Sequence, residues 1–185
     1  MTRPALIVTL RERLRADTRA AHDAVDRAFG RFDLTSRDGL TSFLRAQRAG
    51  LAALHGAGAT CAGLREGIGA IDADLASLGA EPPAAAAPAP TEDHPIAQDY
   101  LWLGSRLGTR MLARRWADAT DPDVRRASAY LGMAADPAPW RAFTARAEEM
   151  SARGPEADLI VTAAIAWFAL FEQSALTGGL HVPAE

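Results

Sequence analysis

The amino-acid sequence predicts an all-helical fold in a single domain, and three observations support that prediction. The chain has 185 residues, of which 49% are hydrophobic, and this is enough for one packed core. Aromatic residues make up only 6% while alanine is abundant, a composition that favours close-packed helices over a sheet. Apolar residues recur at three and four positions, and no segment has the period of two typical of a strand. We therefore expect residues 1–185 to form one domain of packed helices.

The first three helices follow from this period. Residues 9–29 form the first, and Gly30 ends it. Thr35 is expected to open the second, with Asp38 three residues later as a weak variant of the capping box. Residues 62–78 form the third. The apolar faces consist of Leu10, Leu14, Ala21, Val25 and Ala28, then Leu40, Phe43, Leu44, Leu51 and Leu54, then Leu64, Ile68, Ile71, Leu75 and Leu78.

Proline and glycine divide the second half of the chain. Residues 80–92 are rich in proline and alanine, and we expect a surface connection there rather than a domain boundary. The fourth helix covers residues 95–117 and starts at a proline, a favoured first-turn residue. Further helices begin at the Asp-Pro pairs 121–122 and 136–137, and the last covers residues 156–176. The last helix is apolar on almost every face, so it should be central.

The first helix contains LRADTRAAHDAVDRAF, in which His22 shares a stripe with apolar residues and is expected to point inward. Asp26 follows His22 by one turn, and Arg15 precedes it by two turns. A histidine held by a carboxylate, with a cation within reach, suits a haem iron and its propionates. Because most histidines on helix faces are structural or exposed, this pattern gains its weight from a second motif in the fourth helix.

The fourth helix contains YLWLGSRLGTRML, in which Gly104 and Gly108 lie one turn apart on one face. Glycine costs about 1 kcal/mol against alanine inside a helix, so two glycines on one face require a reason. Either another helix packs very closely there, which is the commoner reason, or a flat ligand does. Tyr100 lies on the same face, where its hydroxyl can reach a carboxylate of such a ligand, and Ser105 adds a hydroxyl beside the glycines.

Charge and composition exclude several classes of partner. The net charge is −3, so there is no electrostatic basis for binding nucleic acid or an anionic membrane. Every basic side chain is arginine, which any anion site must therefore use alongside tyrosine, hydroxyls or backbone amides. Cys61, the single cysteine, is expected to be a packing residue and fits a reducing cytoplasm. We expect no signal peptide and no segment as long as a transmembrane span, and hence a cytoplasmic protein.

The two motifs resemble the proximal and distal helices of the bacterial haem oxygenases, and AIAWFALFEQSAL is more loosely similar to their last core helix. The order, separation and total length also match, so the resemblance covers most of the chain. Within this family, the chain looks most like the oxygenases that supply biliverdin to bacterial phytochromes. The resemblance implies a multi-helix bundle with haem b between the proximal and distal helices. It also implies oxidative opening of haem to biliverdin, carbon monoxide and ferrous iron, using dioxygen and an external reductant such as ferredoxin or a flavoprotein reductase.

The resemblance implies roles for the residues around the iron. His22 corresponds to the proximal iron ligand, and Asp26 to the acidic residue that orients its imidazole. Gly104 and Gly108 correspond to the glycines that let the distal helix lie against the haem face. Ser105 occupies the position that supports the distal water network.

The resemblance also implies contacts to the propionates, from Tyr100 and Arg15, with Arg141 as a weaker third candidate. The chain departs from the family at Thr109, where glycine or alanine is usual. A β-branched side chain there is expected to narrow the pocket or bend the helix, which bears on oxygen access and turnover. Arg106 is expected to face outward.

Two classes of function follow from these observations. The first is a haem oxygenase; the second is a carrier or sensor of the same fold that binds haem or another tetrapyrrole without degrading it, an alternative motivated by Thr109. Hydrolase chemistry is disfavoured because the sequence has no nucleophile elbow, and a di-iron bundle because it has no pair of Glu-x-x-His motifs. On the last helix, Trp167, Phe168 and Phe171 are expected in the core, with one or two of them also lining the haem pocket.

Overall fold

The computed structural model describes residues 8–84, 87–134 and 136–178. These residues are all-helical, as the sequence predicts; they contain no strand, and the bridge between Thr9 and Ser151 is an isolated pair. The eight helices within the described ranges are α1 (Leu10–Asp17), α2 (Arg19–Gly30), α3 (Arg37–Gly56), α4 (Leu64–Ser77), α5 (Pro95–Ala117), α6 (Pro122–Arg126), α7 (Ala138–Glu149) and α8 (Pro155–Leu176).

The single helix predicted over residues 9–29 is divided into α1 and α2 at Thr18. The Thr18 hydroxyl donates to the Leu14 carbonyl one turn earlier, at 2.7 Å. A threonine that bonds back to the preceding turn in this way bends a helix. Backbone bonding nonetheless continues across the bend, since the His22 N–H donates to the Thr18 carbonyl at 2.9 Å.

The start of α3 also differs from the prediction. Ser36 caps the helix, its hydroxyl accepting from the Gly39 N–H at 3.2 Å. Thr35 instead donates its hydroxyl and its N–H to the Asp33 carboxylate, at 2.7 and 2.9 Å. The capping box predicted between Thr35 and Asp38 is therefore wrong, because Asp33 engages Thr35 in a turn before the helix begins.

The proline-marked helices start close to where the sequence places them. Helix α5 has the predicted bounds. At α6 the Asp121 carboxylate accepts from the Asp123 N–H at 2.8 Å, and at α7 the Asp136 carboxylate accepts from the Ala138 N–H at the same distance. Between α4 and α5 the described residues from Gly79 to Glu92 are exposed or half-buried and form no helix.

Helix α8 lies at the centre, where it packs against α1, α2, α3 and α5. Ile160, Ala163, Ala164 and Trp167 are fully buried in it. By length and composition alone α8 could also cross a membrane, so the prediction that no segment reaches that length is wrong. Half of its apolar window is buried among the other helices, and the core helix of a globular protein has the same composition.

Candidate functional site

Helices α2 and α5 run past each other in the same direction and are tied together near both ends. Near the start of α2, the Tyr100 hydroxyl lies 3.3 Å from the Thr18 hydroxyl. At its end, the Arg115 guanidinium donates to the carbonyls of Phe32 and Gly30, at 2.8 and 3.4 Å. Both helices pack extensively on α8, but within the described residues they scarcely contact each other. We refer to the region between α2 and α5, bounded by these two ties, as the gap.

His22 lies on the α2 side of this gap. Its Nδ1 is 3.2 Å from the Asp26 carboxylate, the arrangement expected from the sequence. Its side chain is 54% exposed rather than directed into the core as predicted, because the ring of Phe168 fills the space beneath it at a centroid distance of 5.6 Å. With Nδ1 facing a carboxylate, the imidazole can offer Nε2 to a ligand.

The glycine pair lies on the α5 side. Among the residues that the structure describes, a Cβ built on Gly108 meets no heavy atom within 4 Å. One built on Gly104 meets only the ring of Trp140, at an ordinary contact distance of 3.5 Å. Met111, two turns beyond Gly104, is 71% exposed. No backbone in the described ranges packs against either glycine, so close helix packing, the commoner reason for two such glycines, does not explain them there.

An aromatic cluster, defined here as Tyr100, Trp140, Phe143 and Phe168, connects the two sides. The rings of Tyr100 and Trp140 stack at a centroid distance of 6.0 Å, and Trp140 and Phe143 stack at 5.4 Å. Phe168 meets Tyr100 edge-on at 6.2 Å and His22 at 5.6 Å. Apolar contact thus runs without a break from His22 to Gly104.

Four other predicted site residues differ in their exposure and in their hydrogen bonds. Ser105 donates its hydroxyl to the Trp102 carbonyl of its own helix at 2.7 Å, which leaves the oxygen lone pairs as acceptors. Arg15 on α1 and Arg141 on α7 are exposed, and these two helices pack together. Neither arginine pairs with a carboxylate in the described parts of the chain. Tyr100, by contrast, is half-buried and directs its hydroxyl toward Thr18.

Thr109 and Arg106 lie on the other flank of α5, away from the glycine pair. The prediction that Arg106 faces outward is wrong: it is 8% exposed, and its guanidinium lies 5.5 and 5.6 Å from the ring centroids of Trp102 and Tyr130. It also donates to the Met133 carbonyl at 3.3 Å. Cation–π contact with two rings and a carbonyl partner compensate for burial of the guanidinium. Thr109 is 5% exposed and donates to the Ser105 carbonyl, so it does not narrow the gap.

Trp140 and Thr18 contact the candidate site although neither was predicted from the sequence to do so. Trp140 reaches Gly104 from α7, a contact between helices far apart in sequence. Thr18 precedes His22 by one turn, a spacing that could have identified it. Trp167, Phe168 and Phe171 are all buried, as predicted, and Phe168 also contacts His22.

Within residues 8–84, 87–134 and 136–178, no group of three or more His, Cys, Asp or Glu side chains is placed to hold a metal ion. The chain matches no protein-family model and no curated protein.

Proposed function

We propose that the chain binds haem in the gap between α2 and α5 and acts as a haem oxygenase, opening the ring to biliverdin, carbon monoxide and ferrous iron. The observation that carries this proposal is the pairing across one gap of His22, held by Asp26, with an unfilled glycine face. The other participants are dioxygen and an external reductant, such as ferredoxin or a flavoprotein reductase. A phytochrome is the proposed acceptor of biliverdin, and the cytoplasm the proposed location.

The residues fit haem in two respects. The porphyrin supplies four nitrogen ligands, so the iron needs one protein histidine and no cluster of ligating side chains. A planar ring needs a flat wall, and the backbone around Gly104 and Gly108 supplies one because a Cβ-sized space there is open or bounded only by Trp140. The aromatic cluster would pack against one edge of such a ring.

The bound haem would supply the iron at which dioxygen is reduced, and the side chains would direct that chemistry. The Asp26 carboxylate lies 3.2 Å from Nδ1 of His22, where it would orient the ring so that Nε2 is offered to the iron. A neutral imidazole donates less electron density to iron than a thiolate does. The glycine wall would limit the orientation of a bound ring and so would influence which edge carbon reacts. The Ser105 oxygen can accept a hydrogen bond from a water that serves as proton donor.

The second candidate, a carrier or sensor that binds haem or another tetrapyrrole without degrading it, is favoured by a different observation. The His22 side chain is 54% exposed. An accessible ligand suits a protein that must release its cargo. Thr109, which motivated this alternative from the sequence, no longer supports it, because its side chain is buried on the other flank of α5.

The test is an absorption time course of the purified protein with one equivalent of haemin, followed by a ferredoxin system in air. Oxygenase activity predicts a sharp Soret band that decays while a broad red band grows. A stable Soret band under repeated addition of reductant would favour the carrier. His22→Ala should abolish the spectrum of histidine-bound haem, whereas His55→Ala, an exposed histidine in the last turn of α3, should leave it unchanged. Absence of any Soret shift in the native protein would refute both candidates.

A further inference from the structure

The Tyr100 hydroxyl is committed to a partner inside the protein. The Thr18 hydroxyl uses its hydrogen on the Leu14 carbonyl, at 2.7 Å, so in its contact with Tyr100 it must accept. Thr18 is 1% exposed, and the Tyr100 ring is held by Trp140 and the rest of the aromatic cluster. Donation of the Tyr100 hydroxyl to a carboxylate on a ligand would break this bond.

Thr18 is directly connected to His22. The Thr18 carbonyl accepts a hydrogen bond from the backbone N–H of His22 at 2.9 Å. The bend between α1 and α2 therefore determines the position of the His22 backbone. Tyr100 itself stands one turn before Gly104 on α5. The bond from Tyr100 to Thr18 therefore joins the two helices one turn before His22 on one side and one turn before Gly104 on the other.

Arg115 makes the corresponding connection at the far end. Its guanidinium donates to the carbonyl of Gly30, the last residue of α2, and to that of Phe32 just beyond it. His22 and both glycines lie between this tie and the one at Tyr100. Because α2 and α5 otherwise scarcely touch within the described residues, these two ties and the shared contact with α8 determine their separation.

We propose that Tyr100 and Arg115 are positioning residues that set the separation between His22 and the glycine face, and that Tyr100 does not grip a propionate. This inference rests on the proposed haem site. Loss of either tie would let α2 move relative to α5, so the orientation of the imidazole and the fit of a flat ligand would both change. A residue that only held a propionate would leave the geometry at His22 unaltered.

The test compares Tyr100→Phe, Thr18→Val and the double variant in the full chain, with Thr18→Ser as the conservative rescue. Each is loaded with haem or with haem dimethyl ester, which lacks the propionate charges. We measure transfer to an apomyoglobin acceptor and the iron–histidine stretching frequency. Each single variant should release haem about fivefold faster, the size expected for one lost hydrogen bond. The double variant should release it no faster than either. Thr18→Ser should restore the rate of the native protein.

The dimethyl ester separates the two roles of Tyr100. A positioning role predicts the same acceleration with the ester and a shifted iron–histidine frequency. An effect of Tyr100→Phe that vanishes with the ester, together with native behaviour of Thr18→Val, would overturn the inference in favour of a propionate contact.

For the second tie, Arg115→Met should also accelerate release of haem, while Arg114→Met, its exposed neighbour, should not. Equal effects of the two variants would overturn the role of Arg115.

Failure of the proposed function would give a result that differs from failure of the positioning role. If the native protein binds neither form of haem, that function is refuted, and the tie is judged by a double-mutant cycle on the free energy of unfolding of the ligand-free protein. Coupling between Tyr100→Phe and Thr18→Val there supports the tie, whereas additive effects refute it.

Discussion

The guanidinium of Arg106 and the hydroxyl of Thr109 meet inside the protein, with Nη1 3.4 Å from Oγ1 and one turn of α5 between them. Thr109 is the position at which a departure from the pattern of the haem oxygenases is expected from the sequence. The contact accounts for a hydroxyl there, because the buried guanidinium of Arg106 requires acceptors. The departure therefore concerns the internal packing of α5 and not the gap.

Thr109→Gly tests this reassignment. The change removes an acceptor of Arg106 and adds the helix penalty of glycine, so the free energy of unfolding should fall by about 2 kcal/mol. Turnover should not rise, since the side chain lies on the flank away from Gly104. Urea unfolding would measure the free energy of unfolding, and the decay of the Soret band during the reaction would measure turnover. Thr109→Ser serves as a control that keeps the hydroxyl. Faster turnover at unchanged stability would restore the view that Thr109 narrows the pocket.

Gly108→Ala tests the glycine face against a matched control. Gly69 in α4 is also an exposed helical glycine with no heavy atom within 4 Å of a built Cβ among the described residues. Alanine at either position should stabilise the helix by about 0.5–1 kcal/mol. Only Gly108→Ala should weaken haem binding, by about tenfold, because only there would a methyl group stand against the ligand. Equal haem affinity in the two variants would argue against a ligand on this face.

The buried carboxyl group of Asp74 should make the free energy of unfolding depend on pH. Its carboxylate is buried on α4 and accepts the N–H groups of Ala129 and Tyr130, each at 2.8 Å. Burial raises its pKa above the ordinary value of 3.8, although the two hydrogen bonds act in the opposite direction. The folded state then binds the proton more tightly than the unfolded chain, so the contribution of Asp74 to stability decreases as pH rises through the raised pKa.

Asp74→Asn has no such titration and serves as the reference. The stability of the native protein minus that of Asp74→Asn should therefore fall as pH rises from about 3 to about 7. Chemical denaturation of both proteins across this range gives the difference directly. A difference that grows with pH would mean that the two backbone donors dominate and lower the pKa.

Cys61 should be chemically inert in the folded protein. Burial, followed by the nearby carboxylate of Asp99, raises the pKa of its thiol to about 12. At pH 8 the thiolate fraction is then about one in ten thousand, so reaction with an aromatic disulfide should be about a thousandfold slower than in denaturant. Absorbance of the released thiolate measures both rates. Comparable rates would show that the thiol is accessible and ionised, contrary to its expected packing role.

The sequence predicts what short-range chemistry determines. Pro95 and the Asp-Pro pairs mark helix starts because the first-turn proline and the capping carboxylate act within three residues. The pairing of His22 with Asp26 is likewise a matter of one helical turn. The all-helical class follows from composition and period, which sum over the whole chain and so tolerate local errors.

The errors arise where the partner comes from another helix. The sequence predicts that Arg106 faces outward because nothing near it in the chain indicates a partner. The ring of Tyr130 covers its guanidinium, and the backbone N–H of Tyr130 donates to Asp74 on α4. The sequence predicts that His22 points into the core, because the helical period cannot show that Phe168 of α8 occupies the space below it. Both depend on contacts between residues distant along the chain, which periodicity does not encode.

The bend at Thr18 has a mechanical consequence. Leu10 and Leu14 are fully buried and anchor α1, while Ala28 and Phe29 are buried and anchor the far end of α2. His22 lies only about 6 Å from the bend along the axis of α2, whereas the end of α2 lies about 18 Å away. The direction of α2, and with it the position of His22, is therefore fixed by core contacts on both sides of the bend. A change at Thr18 acts on His22 from one helical turn away, whereas a change at Arg115 acts from the distant end of the same helix.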